Sequence, residues 1–96
     1  MNSHFETTDN LGRRAAYGLD YAIGYFLSVF ETNADGEEME VVALATGFGD
    51  NRGVILDKII ELQVGINSHH WDAIVMDEPL YPLEWYALTK RILSKK

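Results

Sequence analysis

Residues 22–46 constrain the fold most, because two apolar runs flank a short polar stretch that ends in Asp35-Gly36. The first run, residues 22–31, is rich in aromatic residues and alternates apolar side chains at a period of two, which is typical of a strand. The second run, residues 37–46, begins acidic and ends apolar. Asp-Gly favours a tight hairpin turn, because both of its residues can take positive φ. The sequence therefore predicts an antiparallel β-hairpin over residues 22–46.

The first strand of this hairpin carries large apolar side chains on both of its faces. One face has Phe26 and Phe30, and the other has Tyr25, Leu27 and Val29. Such a strand is either covered on both sides or lies at a contact between subunits. A homodimer that pairs through this strand is therefore one alternative that the sequence leaves open.

The chain after the hairpin favours a helix from about Arg52 to Val64. Asp50 or Asn51 is suited to cap its first turn, and Gly65 is suited to the left-handed position after its end. Apolar residues at helical spacing form one stripe, which is made of Ile55, Ile59 and Leu62 and widened by Leu56 and Ile60.

The last third of the chain is less regular. Residues 67–71 are typical of a turn, and the apolar run 73–76 fits either a third short strand or the end of a short helix, with the strand favoured. Pro79 ends this element. Pro82 suits a first helical position, and basic residues follow near the end, so the sequence predicts a second main helix over residues 82–94.

The N-terminal residues 1–10 are predicted to be a loose polar arm, and Asn10 is suited to cap a short helix over residues 11–17. Ninety-six residues are too few for two independent cores, so we expect one domain. The predicted fold class is α+β: an antiparallel β-hairpin, with a third short strand as an option, packed by two main helices.

Charge is distributed unevenly along the chain. The formal net charge is -7, and residues 20–84 hold 13 acidic residues against only Arg52 and Lys58, a net of -11. An acidic body repels nucleic-acid phosphates, so we expect no direct nucleic-acid binding. It attracts basic protein surfaces and speeds encounter with them at low salt. A purely solubilising role of the charge is the simpler alternative.

Acidic side chains concentrate at the tip of the predicted hairpin, which must be exposed because unpaired burial of these groups would be prohibitive. Aromatic residues of the types found in binding hot spots occur further along the chain, although Trp85 is expected to belong to the core. The residues that we expect to contact a partner are Glu31, Asp35, Glu37, Glu38, Glu40, Trp71, Tyr81 and Tyr86.

One cluster contains residue types that bind metals. His69, His70 and Asp72 offer two imidazoles and a carboxylate, a set that transition metals use, and they form an alternative site for a metal or a small ligand. Adjacent histidines point apart in either regular structure, which weakens this hypothesis. Residues 31–36 copy the first half of a calcium loop, but Val42 stands where the closing carboxylate is required. The leading prediction therefore includes no cofactor and no metal.

No catalytic constellation stands out, because the chain has no cysteine and its serines lack the context of a nucleophile. We therefore expect a non-catalytic acidic protein-binding module. In composition it resembles small inhibitors that occupy the basic channels of nucleic-acid-binding proteins. A homo-oligomeric structural protein is a further alternative. The apolar run from Leu19 to Phe30 is shorter than the roughly 20 residues of a membrane span, and no secretory signal is recognisable, so a cytoplasmic protein without membrane contact is expected.

Overall fold

The computed structural model describes residues 2–87. At its centre is a four-stranded antiparallel sheet in which the strands are neighbours in chain order. The strands are β1 (Ser3–Thr8), β2 (Arg14–Asp20), β3 (Gly24–Thr32) and β4 (Glu38–Ala45). A short 3-10 turn leads to two α-helices, α1 (Arg52–Leu62) and α2 (Ser68–Met76). The predicted α+β class is confirmed, with four strands in place of a hairpin and an optional third strand.

The core lies between the middle strands of the sheet and the two helices. Leu27 and Val29 of β3, Ile55 of α1 and Ile74 of α2 are all at most 1% exposed. Burial of an aliphatic side chain of this size stabilises a fold by about 1.5–3 kcal/mol. These contacts fix the helices on one face of the sheet and leave the hairpin between β3 and β4 to extend beyond them.

Both predictions for the N-terminal segment are wrong. Residues 1–10 are not a loose arm, because β1 pairs with β2 over its whole length. Residues 11–17 do not form a helix, because β2 begins at Arg14. β2 lies in the interior of the sheet, so even adjacent residues such as Ala15 and Ala16 are buried. Small side chains buried on both faces hide the alternation that identifies a strand.

The hairpin predicted over residues 22–46 is observed as β3 and β4. β3 is hydrogen-bonded to β2 on one edge and to β4 on the other. It therefore has no free edge, and the prediction that it pairs across a homodimer is wrong. A register shift between Val29 and Phe30 places a β-bulge in the pairing of β3 with β4.

α1 begins at Arg52, as the sequence predicts, but it ends at Leu62 and not at the predicted Val64. Asn51 caps the helix, because its Oδ1 accepts a hydrogen bond from the N–H of Val54 at 2.9 Å. The helix ends at Leu62, where Gln63 takes the left-handed conformation at φ 50°. The prediction that Gly65 occupies that position is wrong.

The turn predicted over residues 67–71 and the strand favoured over residues 73–76 are both replaced by α2. Asn67 begins this helix, because its Oδ1 accepts a hydrogen bond from the N–H of His69 at 2.9 Å. Residues 83–87 are helical, and the remainder of the helix predicted over residues 82–94 lies outside the described residues. No helix within residues 2–87 is long and apolar enough to cross a membrane.

Candidate protein-binding surfaces

The hairpin between β3 and β4 ends in an exposed acidic finger, which we define as residues 31–40. All ten of these residues are exposed. The Oδ1 atom of Asn33 accepts hydrogen bonds from the N–H groups of Asp35 and Glu37, both at 2.9 Å. Only Gly36 takes positive φ, at 82°, so the loop is wider than the two-residue turn that the sequence predicts. The Asn33 side chain gives this loop a defined shape.

One guanidinium group joins the acidic finger to the rest of the sheet. Arg14 donates to Glu6 at 2.7 Å and to Glu38 at 2.6 Å, and it lies 4.0 Å from the centre of the Phe30 ring. Its hydrogen bonds lower the pKa of both carboxyl groups, and the two carboxylates raise the pKa of Arg14. The base of the acidic finger is therefore held against the open face of the sheet.

Every cation within residues 2–87 has a partner inside the molecule. Besides Arg14, Arg13 donates to Asp9 at 2.7 Å, and Lys58 lies 2.5 Å from Glu61. Arg52 donates to the last carbonyl groups of α2, at 2.8 and 2.9 Å. No described basic side chain is therefore left to neutralise the tip of the acidic finger.

The tip carries three carboxylates that the rest of the described chain does not compensate. Asp35, Glu37 and Glu40 form no ion pair and accept no side-chain hydrogen bond within residues 2–87. Glu31 is 3.9 Å from Arg13, a distance at which exposed charges attract each other weakly. Met39 and Val41 are 57% and 43% exposed beside them, so apolar and acidic groups occur together.

The aromatic residues that the sequence predicts to contact a partner are only partly exposed to solvent, and they pack against other side chains of the molecule. Tyr81 stacks on Trp85 with ring centres 4.5 Å apart, and the hydroxyl of Tyr86 accepts a hydrogen bond from the N–H of Tyr81 at 3.1 Å. Trp71, Tyr81 and Tyr86 are half-buried, and Trp71 packs on the core. Trp85 is 46% exposed, so the prediction that it belongs to the core is wrong.

The structure separates the residues of the alternative metal site. His70 is fully buried, with Nδ1 2.8 Å from the hydroxyl oxygen of Tyr17 and Nε2 2.7 Å from the carbonyl oxygen of Tyr81. The carbonyl can only accept, so Nε2 carries the proton and Nδ1 accepts from Tyr17. Burial lowers the pKa of His70. His69 instead stacks on Tyr86.

A metal ion would therefore find no free lone pair on His70. Within residues 2–87, no three side chains of the metal-binding types converge on one point. This arrangement favours a structural role for His70 over the metal hypothesis.

Two features of the candidate surfaces could not be predicted from the sequence. They are Arg14, which links the sheet to the acidic finger, and the edge strand β1. Arg14 stands ten residues before β3 and gives no local signal of its contact with Glu38. β1 contains a single apolar residue, Phe5, among polar neighbours. Half-buried and exposed side chains alternate along β1 in the structure, but one apolar residue gives no alternation that the sequence alone could show.

Comparison of the chain with protein-family models, with curated proteins and with solved structures finds no match. We therefore infer function from the geometry and the charge of the described residues.

Proposed function

We propose that this protein is a non-catalytic protein-binding module whose acidic finger engages a basic surface of another protein. The observation that carries the proposal is the set of uncompensated carboxylates of Asp35, Glu37 and Glu40 on an exposed hairpin. Exposed charges of one sign steer a partner of opposite sign into contact and raise the association rate. The neighbouring apolar side chains of Met39 and Val41 offer surface that a bound partner would bury.

A nucleic-acid-binding protein is the kind of partner that suits this surface best. Its Lys and Arg side chains are arranged to bind a row of phosphates, and a row of carboxylates competes for the same groups. Bound in such a channel, the acidic finger would exclude nucleic acid, which is the action of an inhibitor. Tyr81, Tyr86 and Trp71 are the aromatic residues that a partner could also contact, and we propose them only as secondary members of the contact surface because each is already half-buried.

The experiment compares two variants that remove the same number of charges. The finger variant is Asp35→Asn, Glu37→Gln and Glu40→Gln, and the control variant is Asp57→Asn, Asp72→Asn and Glu84→Gln. All six carboxylates are exposed and lack an ion pair within residues 2–87, so neither variant is expected to alter the fold. Each tagged protein is used to capture partners from a lysate of the source organism, which are identified by mass spectrometry. The dissociation constant of each purified partner is then measured at several salt concentrations.

We expect a partner of high isoelectric point that binds the wild-type and control proteins. The finger variant should bind it at least about threefold more weakly, because it loses three exposed ion pairs that each contribute about 0.2–1 kcal/mol. Affinity should fall steeply as salt is added. Binding that is independent of salt, or that both variants weaken equally, would contradict the proposal.

A further inference from the structure

β1 is an edge strand, and most of its outer backbone groups are open. The N–H of Asp9 donates to the carbonyl of Arg13 at 3.0 Å, which fixes the phase of the ladder between β1 and β2. Hydrogen-bonded and non-hydrogen-bonded pairs alternate along antiparallel strands. The backbone N–H and C=O groups of Thr8, Glu6 and His4 therefore point away from β2.

The loop after α1 already uses one of these positions. The N–H of Gly65 donates to the carbonyl of Thr8, and the hydroxyl of Thr7 donates to the carbonyl of Gly65, both at 2.9 Å. This loop thus pairs with the edge as the first residue of a fifth strand would. In the part of the chain that the structure describes, the backbone groups of His4 and Glu6 have no partner. The two N–H donors and two C=O acceptors of His4 and Glu6 therefore lie open along the same edge of β1 that bonds to Gly65.

The opposite edge of the sheet is better protected. The N–H of Ala45 donates to Oδ2 of Asp50 at 3.1 Å, and its carbonyl accepts from the N–H of Asp50 at 3.4 Å. The bulge opposite Val29 and the charges of Glu38 and Glu40 further disturb the edge of β4. Bulges and charged side chains are the devices by which edge strands avoid pairing. β1 is therefore the edge that is open to a further strand.

A groove with a volume of about 590 Å³ follows β1 and has the size of a ligand-binding pocket. It is lined by β1 residues, Tyr17, the loop of residues 65–67 and Leu83. Phe5 and Ile66 supply half-buried apolar surface, and Leu83 is 45% exposed. Side chains of an extended peptide alternate between two directions, so every second residue of a strand paired with β1 would enter this groove.

The other side chains of an added strand would lie beside His4 and Glu6 on the open face of the sheet. There the Glu6 carboxylate contacts Nε2 of His4 and the guanidinium of Arg14, which it shares with Glu38, so two carboxylates face a single guanidinium. No Lys or Arg lines the groove. Both observations favour basic residues at the alternate positions of the ligand.

We propose that the β1 edge is a peptide-binding site, which takes an extended segment of apolar residues alternating with basic ones as a fifth strand. The site uses the other edge of the sheet from the tip of the acidic finger, so the carboxylates of Asp35, Glu37 and Glu40 can be removed without changing it, and either proposal can fail without the other.

The experiment selects ligands from a displayed library of random nine-residue peptides and measures the affinity of the enriched sequences. Glu6→Pro removes the open N–H, and the control Glu6→Gln removes the carboxylate alone. Proline is tolerated on an edge strand where its nitrogen faces solvent. Leu83→Lys changes the groove, and its control Leu11→Lys changes an apolar side chain that is 71% exposed elsewhere. Circular dichroism checks that each variant is folded, and amide exchange by NMR reports on His4 and Glu6.

We expect selected peptides that alternate apolar and basic residues, and protection of the His4 and Glu6 amides when they bind. Glu6→Pro and Leu83→Lys should each weaken binding about tenfold, the effect of a lost hydrogen bond or a lost apolar contact of about 1.4 kcal/mol. The control Leu11→Lys should bind within about twofold of wild type. Glu6→Gln, which loses only the charge that favours basic residues, should bind more weakly than wild type and more tightly than Glu6→Pro. The proposal is overturned if no peptide is enriched, if Glu6→Pro still binds, or if the selected peptides lack the alternation. If the protein sediments as a dimer without peptide and the His4 and Glu6 amides are already protected, the β1 edge pairs with a second copy of the chain. That result would also overturn the proposal.

Discussion

The hydrogen bond between Tyr17 and His70 links the sheet to α2 inside the core. Oη of Tyr17 donates to Nδ1 of His70. Nε2 of His70 then donates to the carbonyl of Tyr81, so one imidazole connects β2, α2 and the segment that follows. A buried polar group is costly only when it lacks a partner, and here every nitrogen and oxygen of the pair is satisfied.

Removal of the Tyr17 hydroxyl should destabilise the protein. In Tyr17→Phe, the buried Nδ1 of His70 loses its donor, at a cost of about 1–3 kcal/mol in the free energy of unfolding. Tyr21→Phe is the matched control, because Tyr21 is 77% exposed and its change should stay within about 0.5 kcal/mol. Urea denaturation measures both. Equal stability of the two variants would mean that the hydrogen bond contributes nothing.

The stability of the fold should also depend on the protonation of His70. Burial lowers its pKa in the folded protein, so the unfolded chain binds a proton more readily. The contribution of the neutral imidazole is therefore full above the unfolded pKa of about 6.5, and it is lost as the pH falls through that value towards the folded pKa.

NMR titration of a double variant tests this assignment directly. The chain has three histidines, so His4→Gln with His69→Gln leaves His70 as the only imidazole. Its midpoint in the folded protein should lie below 6.5, and the free energy of unfolding should fall between about pH 6.5 and that midpoint. A midpoint at or above 6.5 would show that burial does not control this group.

At the scale of elements, the attachment of β1 depends on the close approach of two backbones. A Cβ atom added at Gly18 of β2 would overlap the carbonyl oxygen of Ser3, so only glycine allows β1 to pair along its full length. At Gly12, in the turn between the strands, nothing lies near an added Cβ, and only the φ of 75° opposes a larger residue.

Two Gly→Ala variants should therefore differ strongly. Gly18→Ala should lower the free energy of unfolding by at least about 2 kcal/mol, because the clash involves backbone that can move only if the pairing is lost. Gly12→Ala should cost about 1 kcal/mol, from the left-handed backbone conformation alone. Amide exchange should show loss of protection at β1 in Gly18→Ala. Normal protection there would contradict the role given to Gly18.

The elements that the sequence predicted well are those with a complete local pattern. α1 combines the Asn51 cap with an apolar stripe, and the hairpin of β3 and β4 combines period-two alternation with a turn dipeptide. β2 was missed because Ala15 and Ala16 are good helix formers that become buried only in the interior of a sheet. α2 was missed because its short apolar run does not distinguish a helix from a strand.

At the scale of the whole molecule, the candidate surfaces differ in how far they could be predicted. The exposure of the acidic finger can be predicted from its sequence, because five carboxylates around a turn cannot be buried without partners. The open edge of β1 cannot be found in the same way, since a strand is an edge only in relation to every other strand. Nor does the sequence indicate that Arg14 and Arg52 are engaged within the molecule, because Arg14 bonds Glu38 and Arg52 bonds the end of α2, and both contacts join residues that are distant in the chain.

The most direct test of the acidic-finger proposal is the association rate of the captured basic partner, measured against salt concentration by surface plasmon resonance. The rate for the wild-type protein and for the control variant should fall about tenfold or more between low and physiological salt, because screening weakens steering. The finger variant, which lacks the carboxylates of Asp35, Glu37 and Glu40, should associate more slowly and show a flatter salt dependence. Identical rates and slopes for the finger and control variants would contradict a role for the acidic finger in binding.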